Sequence, residues 1–440
     1  MKNPRRCSAR RPHPIGRTIP ALASLVLLTV ALAACGSSSG PPTLTWYINP
    51  DNGGQARLAK KCAPSGGPYK VNIQTLPNDA SSQREQLVRR LAAQDSSIDL
   101  MSLDPPFVAE FANAGYLRPF SESDAAQLTK GVLAAPLKTV YWNNKLVAAP
   151  FWANTQLLWY RKAAVKAAGI DPNSPDFTWA DMINDAVKAG KIIGVQANRY
   201  EGYMVWINAL VTSAGGQIIT NVDKGKDATP TIASPAGDAA ATVVGDLARS
   251  KAAPPAMSTA TEEEARSAFQ SDQGMFMVNW PYVYAAAKGD VESGAIKASV
   301  VDDIGWARYP EVIAGKPSKP PLGGINLAIG AYTKYPNQAV ALVKCITSLP
   351  SNVQYMVDSG NPAAKAAAYD DPAVRKAFPM ADLIRDSIAE AGPRPVTPYY
   401  NDVSSSVQQT WHPPDGVHAP GTPKSTEQFM TDVLHGNRLL

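Results

Sequence analysis

Residues 81–103, SSQREQLVRRLAAQDSSIDLMSL, hold the start of a helix, its apolar face and the strand that follows it. Ser82 and Glu85 have the spacing of a capping box, and the apolar residues after them recur with a helical period. The apolar run at 98–103 predicts a buried strand. The chain before this stretch also alternates between strand and helix. A strand is predicted at 44–48, a helix at 54–62 and a strand at 69–76. This succession predicts a largely parallel sheet covered by helices, with ligands at the carboxyl ends of the strands.

The middle of the chain repeats this alternation, and a later part returns to the first pattern. Strands are expected at 156–160, 275–279 and 327–329, and helices at 179–189, 203–214 and 338–348. We therefore predict an α/β fold of two discontinuous lobes with hinge segments between them. The first lobe would comprise 43–150 and 309–350, and the second 155–305 and 355–440. A ligand cleft is expected where the lobes meet.

The amino terminus has the composition of an export signal. Basic residues precede an apolar run that ends in Leu32-Ala33-Ala34-Cys35. The run holds about sixteen residues, fewer than the roughly twenty that span a bilayer. The segment resembles a bacterial lipoprotein signal, which implies a signal peptide at 1–34, a lipid on Cys35 and attachment to the outer face of the cell membrane. The alternative is an ordinary secretory cleavage site near Cys35. Residues 35–42 are rich in Ser, Gly and Pro and predict a flexible linker.

The charge balance gives no indication of a nucleic-acid partner. The formal net charge is +5, from 42 basic and 37 acidic residues. The signal region holds six of the basic residues and none of the acidic ones, so the remaining chain is close to neutral. This balance favours a globular protein whose ligand is not a polyanion.

Two cysteines remain after the signal region and the lipidation candidate are set aside. Cys7 lies in the signal, and Cys62 and Cys345 lie in the folded part. In an oxidising exterior they most simply form one disulfide, and two free buried thiols are the alternative. Such a bond would join an early helix to a late one, so the first lobe would be discontinuous in sequence.

Catalytic and cofactor motifs are mostly absent from the sequence. The histidines of the folded part, His412, His418 and His435, all lie near the carboxyl terminus. A serine triad or a metal cluster in the cleft is therefore poorly supplied, and no C-x-x-C, H-E-x-x-H, P-loop or dinucleotide pattern occurs. The one G-x-S-x-G match, at 36–40, falls in the linker. We predict a protein that is not an enzyme and holds no cofactor or metal.

Polar and aromatic residues at predicted strand ends are the candidates for ligand contacts. They are Asn49, Asp79, Asp104, Trp152, Asn154, Trp280 and Tyr282. Flat side chains cover the apolar face of a sugar ring, and carboxylates and amides hold its hydroxyl groups. Each residue alone is also compatible with core packing, and the run Glu262-Glu263-Glu264 with a solvated first turn of a helix.

Five sequence blocks, taken together, resemble the sugar-binding proteins of ABC importers. They are LLWYR at 157–161, VTSAGG at 211–216, a block from Thr261 to Tyr282, LGGINLA at 322–328 and RPVTPYY at 394–400. Within that group the chain is most similar to the trehalose-binding lipoproteins of mycobacteria. The resemblance implies a type II periplasmic-binding-protein-like fold and a monomer that delivers a disaccharide, most simply trehalose, to ABC permease subunits and their ATPase. The open and closed forms of such a protein are in equilibrium, and a sugar that touches both lobes favours closure.

The resemblance also implies residue roles. The sugar contacts would be Asp104, Asn154, Glu262, Trp280, Gly324 and Arg394, with Asn49, Asp79 and Arg84 as further candidates. Trp280 would stack on a glucose ring, and Arg394 would donate paired hydrogen bonds to adjacent hydroxyl groups. Many relatives carry Trp where this chain has Ile325, which leaves the disaccharide open. The register of the glutamate run also stays open, so Glu263 is an alternative to Glu262.

Two other functions remain as alternatives at this point. An exported glycoside hydrolase would use two carboxylates, such as Asp104 and Glu262, on either side of a glycosidic bond. A receptor for another solute would bind maltose, an amino sugar or a glycerophosphodiester. A phosphodiester needs more cations in the cleft than Arg84 and Arg394 supply.

Overall fold

The computed structural model describes residues 40–440. The predicted signal at 1–34, the lipidation candidate Cys35 and most of the linker at 35–42 lie outside the described residues. Across residues 40–440, no helix combines the length and the apolar character that crossing a bilayer requires.

Two β-sheets organise the described chain, with two short strand pairs beside them. The strands are β1 Thr43–Ile48, β2 Lys70–Thr75, β3 Leu100–Leu103, β4 Tyr141–Trp142, β5 Lys145–Leu146, β6 Ala149–Asn154, β7 Leu157–Arg161, β8 Ile192–Gly194, β9 Ile219–Thr220, β10 Thr229–Pro230, β11 Gly274–Asn279, β12 Ile304–Ala307 and β13 Gly323–Ile329. The five-stranded sheet has the order β2-β1-β3-β13-β6, and the four-stranded sheet has the order β12-β7-β11-β8.

The two sheets differ in strand direction. In the first, β1, β2 and β3 are parallel, and β13 runs antiparallel to β3 and β6. In the second, only β8 and β11 are parallel, because β7 runs antiparallel to β11 and β12. The expectation of a largely parallel arrangement is therefore wrong for the second sheet. An apolar run has the same composition whichever way its neighbour runs, so the sequence pattern did not reveal the direction.

Helices cover both sheets. They are α1 Gly54–Cys62, α2 Ala80–Ala92, α3 Val108–Asn113, α4 Glu122–Thr129, α5 Ala134–Leu137, α6 Lys162–Ala168, α7 Trp179–Ala189, α8 Glu201–Ser213, α9 Pro235–Arg249, α10 Glu262–Gln270, α11 Tyr282–Glu292, α12 Ala298–Asp302, α13 Pro336–Ile346, α14 Leu349–Ser359, α15 Pro372–Ala377, α16 Ala381–Glu390, α17 Tyr400–Trp411 and α18 Gly421–Leu434. In the second part of the fold α8 packs against α9 and α17, and α17 packs against α18. Trp179, Trp206 and Trp411 are fully buried in this region.

Helix α2 begins earlier than its sequence pattern indicates. Asp79 is its N-cap, and the Asp79 carboxylate accepts a hydrogen bond of 2.8 Å from the backbone N–H of Ser82. Ser82 and Glu85 therefore lie inside the helix, and the capping box expected there does not form. Asp79, three positions before Ser82, accepts from the Ser82 N–H group that the Glu85 side chain would bind in a capping box.

One disulfide links two helices of the first part of the fold. Cys62 at the end of α1 bonds to Cys345 near the end of α13, with their Cα atoms 5.7 Å apart. The predicted pairing is confirmed. Strand β13 and helix α13 follow every strand of the four-stranded sheet in the chain, so this part of the molecule is discontinuous in sequence.

The architecture is a mixed α/β fold of two lobes, each built on one sheet. The residue boundaries of the lobes stay a prediction. Helix α14 packs against α1 and α13, and Arg57 on α1 donates a hydrogen bond of 2.9 Å to Asp358 on α14.

Candidate functional site

A cavity of about 850 Å³ is lined by residues from both sheets and their neighbouring helices. Its volume lies in the usual range for small-molecule sites. Several lining residues follow directly on strands: Asn49 after β1, Asp104 after β3, and Trp280 after β11. The cavity therefore lies at strand ends, where α/β folds bind ligands.

The cavity brings together eleven of the twelve residues that the sequence suggested for ligand binding. They are Asn49, Asp79, Asp104, Trp152, Asn154, Glu262, Glu263, Trp280, Tyr282, Gly324 and Arg394. Residues from distant parts of the chain thus share one concave surface. Their roles as ligand contacts stay predictions.

Arg84 does not reach this cavity. Its guanidinium forms an ion pair with Glu110, and its Nε donates a hydrogen bond of 2.6 Å to the same carboxylate. Gln83, one position earlier on α2, lines the cavity instead. Successive residues on a helix point about 100° apart, so these two side chains face different surroundings.

Arg394 is the centre of a buried ion cluster on the cavity wall. Its Nη1 atom donates to Asp104 at 3.0 Å and to Glu201 at 2.6 Å, and its Nη2 atom donates to the other oxygen of Asp104. The guanidinium fork that was expected to hold two sugar hydroxyl groups is thus occupied by the Asp104 carboxylate. Asp104 follows β3 of the five-stranded sheet, whereas Glu201 begins α8 in the part of the fold built on the four-stranded sheet. The cluster therefore connects these two parts of the fold.

Glu201 is a buried carboxylate with several donors around it. It accepts hydrogen bonds from Arg394, from the Tyr400 hydroxyl and, at 2.7 Å, from the Ser404 hydroxyl. Burial raises the pKa of Glu201, and the Arg394 charge opposes that shift. These bonds hold both the carboxylate and the guanidinium in fixed positions.

The three consecutive glutamates have three different roles. Glu264 forms the capping box of α10 with Thr261. Glu263 pairs with Arg266 and accepts a hydrogen bond of 2.5 Å from the Tyr282 hydroxyl. Among residues 40–440, Glu262 has no ion pair, and burial raises the pKa of its carboxyl group. Both Glu262 and Glu263 line the cavity, and Glu262 is the one not bound by a cation.

The two tryptophans of the cavity have different surroundings. Trp152 is 5% exposed, and its ring centroid lies 4.9 Å from that of Phe151 and 5.0 Å from that of Tyr355. Trp280 is half-buried, and its indole edge lies against Gly323, where an added Cβ would come within 2.8 Å of two ring carbons. Trp152 therefore belongs to an aromatic core cluster, while Trp280 offers a ring to the cavity.

Gly324 is required by the backbone. Its φ angle is +115°, and a Cβ there would lie 2.3 Å from the carbonyl oxygen of Trp152 on β6. Only glycine adopts this conformation without strain. Ile325 lines the cavity from the same strand.

Asp51 and Asp79 lie where two helices begin at the cavity rim. The Asp51 carboxylate accepts hydrogen bonds from the backbone N–H groups of Gly53 at 3.0 Å and Gln55 at 2.7 Å. Asp79 caps α2 in the same way. Part of the hydrogen-bonding capacity of both carboxylates is therefore used by the protein backbone.

Sequence reasoning missed Tyr200, Glu201 and Asn361, which also line the cavity. Tyr200 and Glu201 precede the apolar run from 203 that was expected to be the helix. A charged residue directly before a continuously apolar helix was the available signal for Glu201. Asn361 lies after α14, and no pattern in the sequence pointed to it.

The lining of the cavity is strongly acidic. Its carboxylates belong to Asp51, Asp79, Asp104, Glu201, Glu262 and Glu263, and among residues 40–440 Arg394 is the only cationic residue of the lining. Because Arg394 is already paired with Asp104 and Glu201, the described part of the chain offers no unpaired cation to an anionic ligand in this cavity. It offers hydrogen-bond acceptors and one partly exposed indole.

The fold and this cavity define a two-lobed binding protein, and comparison with known proteins identifies its family. Residues 66–352 match the family described as bacterial extracellular solute-binding protein. A probable ABC transporter-binding protein of Deinococcus radiodurans is 30% identical over 412 residues, which cover 87% of this chain and 91% of the relative. The chain therefore belongs to the bacterial extracellular solute-binding proteins. Its relatives are binding proteins of ABC transporters and not enzymes, as predicted.

Two solved structures of other proteins have the same fold. Maltose-bound MalE3 of T. maritima aligns with a TM-score of 0.78 at 24% identity, over 90% of this chain and all of that one. UgpB of Mycobacterium tuberculosis, solved with glycerophosphocholine, aligns with a TM-score of 0.71 at 17% identity, over 91% of this chain and all of that one. At these identities the likeness concerns the fold.

Proposed function

We propose that this protein is a lipid-anchored receptor for an uncharged disaccharide, most simply trehalose, which it delivers to the permease of an ABC importer. It acts as a monomer on the outer face of the cell membrane, attached through Cys35. A separate ATPase supplies the energy for transport. The sugar would occupy the cavity and touch both lobes, which favours the closed form.

The observation that carries the proposal is that Trp280 shares the cavity with acceptors at two strand ends and at the start of α10. An indole covers the C–H face of a pyranose ring, and the oxygens of Asp104, Asn154 and Glu262 accept from its hydroxyl groups. Arg394 fixes Asp104 by two parallel hydrogen bonds, so that one acceptor is already oriented. Its role in the proposal is thus to position Asp104.

The charge of the cavity separates a neutral sugar from a phosphodiester. A phosphate needs cationic donors, and Arg394, the one cation that residues 40–440 place in the lining, is already paired with two carboxylates. The remaining acidic residues repel an anion. Maltose is the second candidate, because a maltose-bound protein has the same fold and Ile325 leaves the choice of disaccharide open.

Calorimetric titration of the purified protein with trehalose, maltose, sucrose, glucose and glycerophosphocholine tests the ligand. We expect trehalose to bind most tightly and to be recovered unchanged by thin-layer analysis. If only maltose gives heat of binding, the protein is still a sugar receptor and its ligand is maltose. Binding of glycerophosphocholine with no response to any sugar would overturn the proposal.

The anchor is tested separately in cells. The Cys35→Ala variant should lose lipid labelling and leave the membrane fraction, whereas Cys7→Ala should keep both. A Cys35→Ala variant that still incorporates labelled fatty acid would contradict the proposed attachment.

A further inference from the structure

Tyr200 places a buried hydroxyl group on the cavity wall beside Glu262. It is the N-cap residue of α8 and lines the cavity. Within residues 40–440, its hydroxyl oxygen is buried and no group meets it with hydrogen-bond geometry, although the Glu262 carboxyl group lies near enough to raise its pKa. A buried hydroxyl without a partner is unfavourable, so this one requires an explanation.

Gly202 provides the space in which that hydroxyl lies. A Cβ at position 202 would come within 2.2 Å of the Tyr200 hydroxyl oxygen and 2.3 Å of the ring carbon that carries it. Glycine near the start of a helix is less favourable than alanine. The sequence therefore has glycine, which favours a helix less than alanine does, at a position where a methyl group would displace the phenol.

The Glu262 carboxylate is the charged group that most affects the pKa of this phenol. Burial, followed by the charge of Glu262, raises the pKa of Tyr200 well above its usual value, so the phenol keeps its proton and remains a donor. Tyr282 and Glu264 also raise the pKa of Tyr200, and Glu263 raises that of Glu262. These three are engaged elsewhere, in the capping box of α10 and in the cluster of Glu263 with Arg266.

We propose that Tyr200 and Glu262 form one subsite that holds a single hydroxyl group of the ligand. The phenol donates a hydrogen bond to the ligand oxygen, and the carboxylate accepts one from the ligand O–H. A hydroxyl group both accepts and donates, so it satisfies both protein groups at once. A phosphate oxygen at neutral pH has no proton for Glu262 and is repelled by it. This inference rests on the proposed sugar-receptor function and names Tyr200 and Gly202 as residues that determine its specificity.

The binding test uses Tyr200→Phe, which removes only the phenolic oxygen. Trehalose affinity should fall about three- to tenfold, the effect of one lost hydrogen bond. The four monodeoxy trehaloses identify the hydroxyl group. In the natural protein each monodeoxy sugar should bind less tightly than trehalose. In Tyr200→Phe, one of the four should bind as tightly as trehalose binds to that variant. Equal penalties for all four in both proteins would overturn the subsite.

A pair of glycine variants tests the space around the phenol. Gly202→Ala should weaken trehalose binding by at least as much as Tyr200→Phe, because the methyl group displaces the ring. Gly416→Ala is the matched control, since Gly416 lies outside the cavity lining and a Cβ there meets nothing within 4 Å. Equal affinities of the two alanine variants would overturn the role of Gly202.

A ligand-free measurement separates this inference from the choice of sugar. Carbon-13 NMR titration of the Glu262 carboxyl group gives its pKa without any ligand. Burial raises the pKa of Glu262 and the neighbouring Tyr200 hydroxyl lowers it, so Tyr200→Phe should raise this pKa further, while Tyr282→Phe should change it less. If trehalose fails to bind and the pKa of Glu262 rises in Tyr200→Phe, trehalose is not the ligand and the Tyr200–Glu262 subsite is supported. An unchanged pKa would overturn the pair even where trehalose binds.

Discussion

At the scale of single residues, Arg394 holds together a buried ion cluster on the cavity wall. Its side chain is 4% exposed, and it neutralises Asp104 and Glu201, which are 17% and 6% exposed. Removing one partner of a buried ion pair leaves the other charges without compensation. Loss of Arg394 therefore cannot act on the ligand alone.

Arg394→Ala should lower the free energy of unfolding by about 3–5 kcal/mol and abolish measurable sugar binding. Denaturant unfolding and calorimetry measure the two effects. Arg394→Lys keeps the charge and loses the paired geometry, so it should recover stability more than affinity. An Arg394→Ala protein of natural stability would show that the cluster is not buried in solution.

Trp280→Ala should affect binding without a comparable loss of stability, because its ring is half-buried and borders the cavity. We expect sugar affinity to fall at least about tenfold. Trp306→Ala removes an indole that lies outside the cavity lining and serves as the control. Equal affinities of the two variants would contradict the stacking role of Trp280.

Gly324→Ala should disturb the fold at the cavity wall. The new Cβ would meet the carbonyl oxygen of Trp152, and the φ angle of +115° would become strained. Melting temperature and affinity should both fall. Gly315→Ala, which also has a positive φ angle but no atom within 4 Å of a Cβ, should change affinity little.

Residues at strand ends could be predicted from the strand pattern, whereas Glu262, Gly324 and Arg394 could be predicted only from the family-like blocks. Asp104 and Trp280 follow apolar runs, and the carboxyl ends of such strands point to the same edge of a sheet. Tyr200 precedes the apolar part of α8, so the periodicity offered no reason to assign it to a site. The glutamate run could not be resolved, because three identical neighbours differ only in what surrounds each of them.

At the scale of elements, the sequence predicted the strands and helices better than their partners. Strand β11 was expected at 275–279 and is found at Gly274–Asn279, but its antiparallel pairing with β7 was not foreseen. Pairing depends on contacts distant in sequence, and single-strand patterns contain no information about them. The connection of α4 to α13 is a further example.

Asp124 on α4 pairs with Lys344 on α13, and their charged atoms are 2.6 Å apart. The Lys344 ammonium and the Ser121 hydroxyl lower the pKa of Asp124. A lowered pKa means that the folded state binds fewer protons than the unfolded state, so this contribution to stability is present at neutral pH. It is lost as the pH falls through the pKa of Asp124 in the folded protein.

Asp124→Asn should therefore lower the free energy of unfolding at pH 7 by up to about 1 kcal/mol, a value set by the partial exposure of the pair. The difference from the natural protein should shrink toward acid pH in denaturant titrations. Glu122→Gln changes a charge in the same turn and has no ion pair among residues 40–440. A difference for Asp124→Asn that is constant across pH would exclude the proposed pairing.

At the scale of the whole molecule, two lobes meet at one cavity, and the Arg394 cluster connects them. The two-lobed class could be predicted because βαβ succession and five family-like blocks agree over nearly the whole chain. The disulfide partner could be predicted only because two cysteines remained after the others were assigned. Its position on α1 and α13 places it away from the cavity lining.

The Cys62–Cys345 bond should therefore stabilise the fold and leave the sugar site unchanged. It closes a loop over most of the chain, and removing such a bond costs about 2–5 kcal/mol by restoring freedom to the unfolded state. The Cys62→Ser/Cys345→Ser variant should show that loss in denaturant unfolding, with trehalose affinity within about twofold of the natural protein. Adding dithiothreitol should destabilise the natural protein and have no effect on the variant. Alkylation of the unfolded, unreduced natural protein should find neither cysteine free, and two free thiols there would disprove the bond in solution.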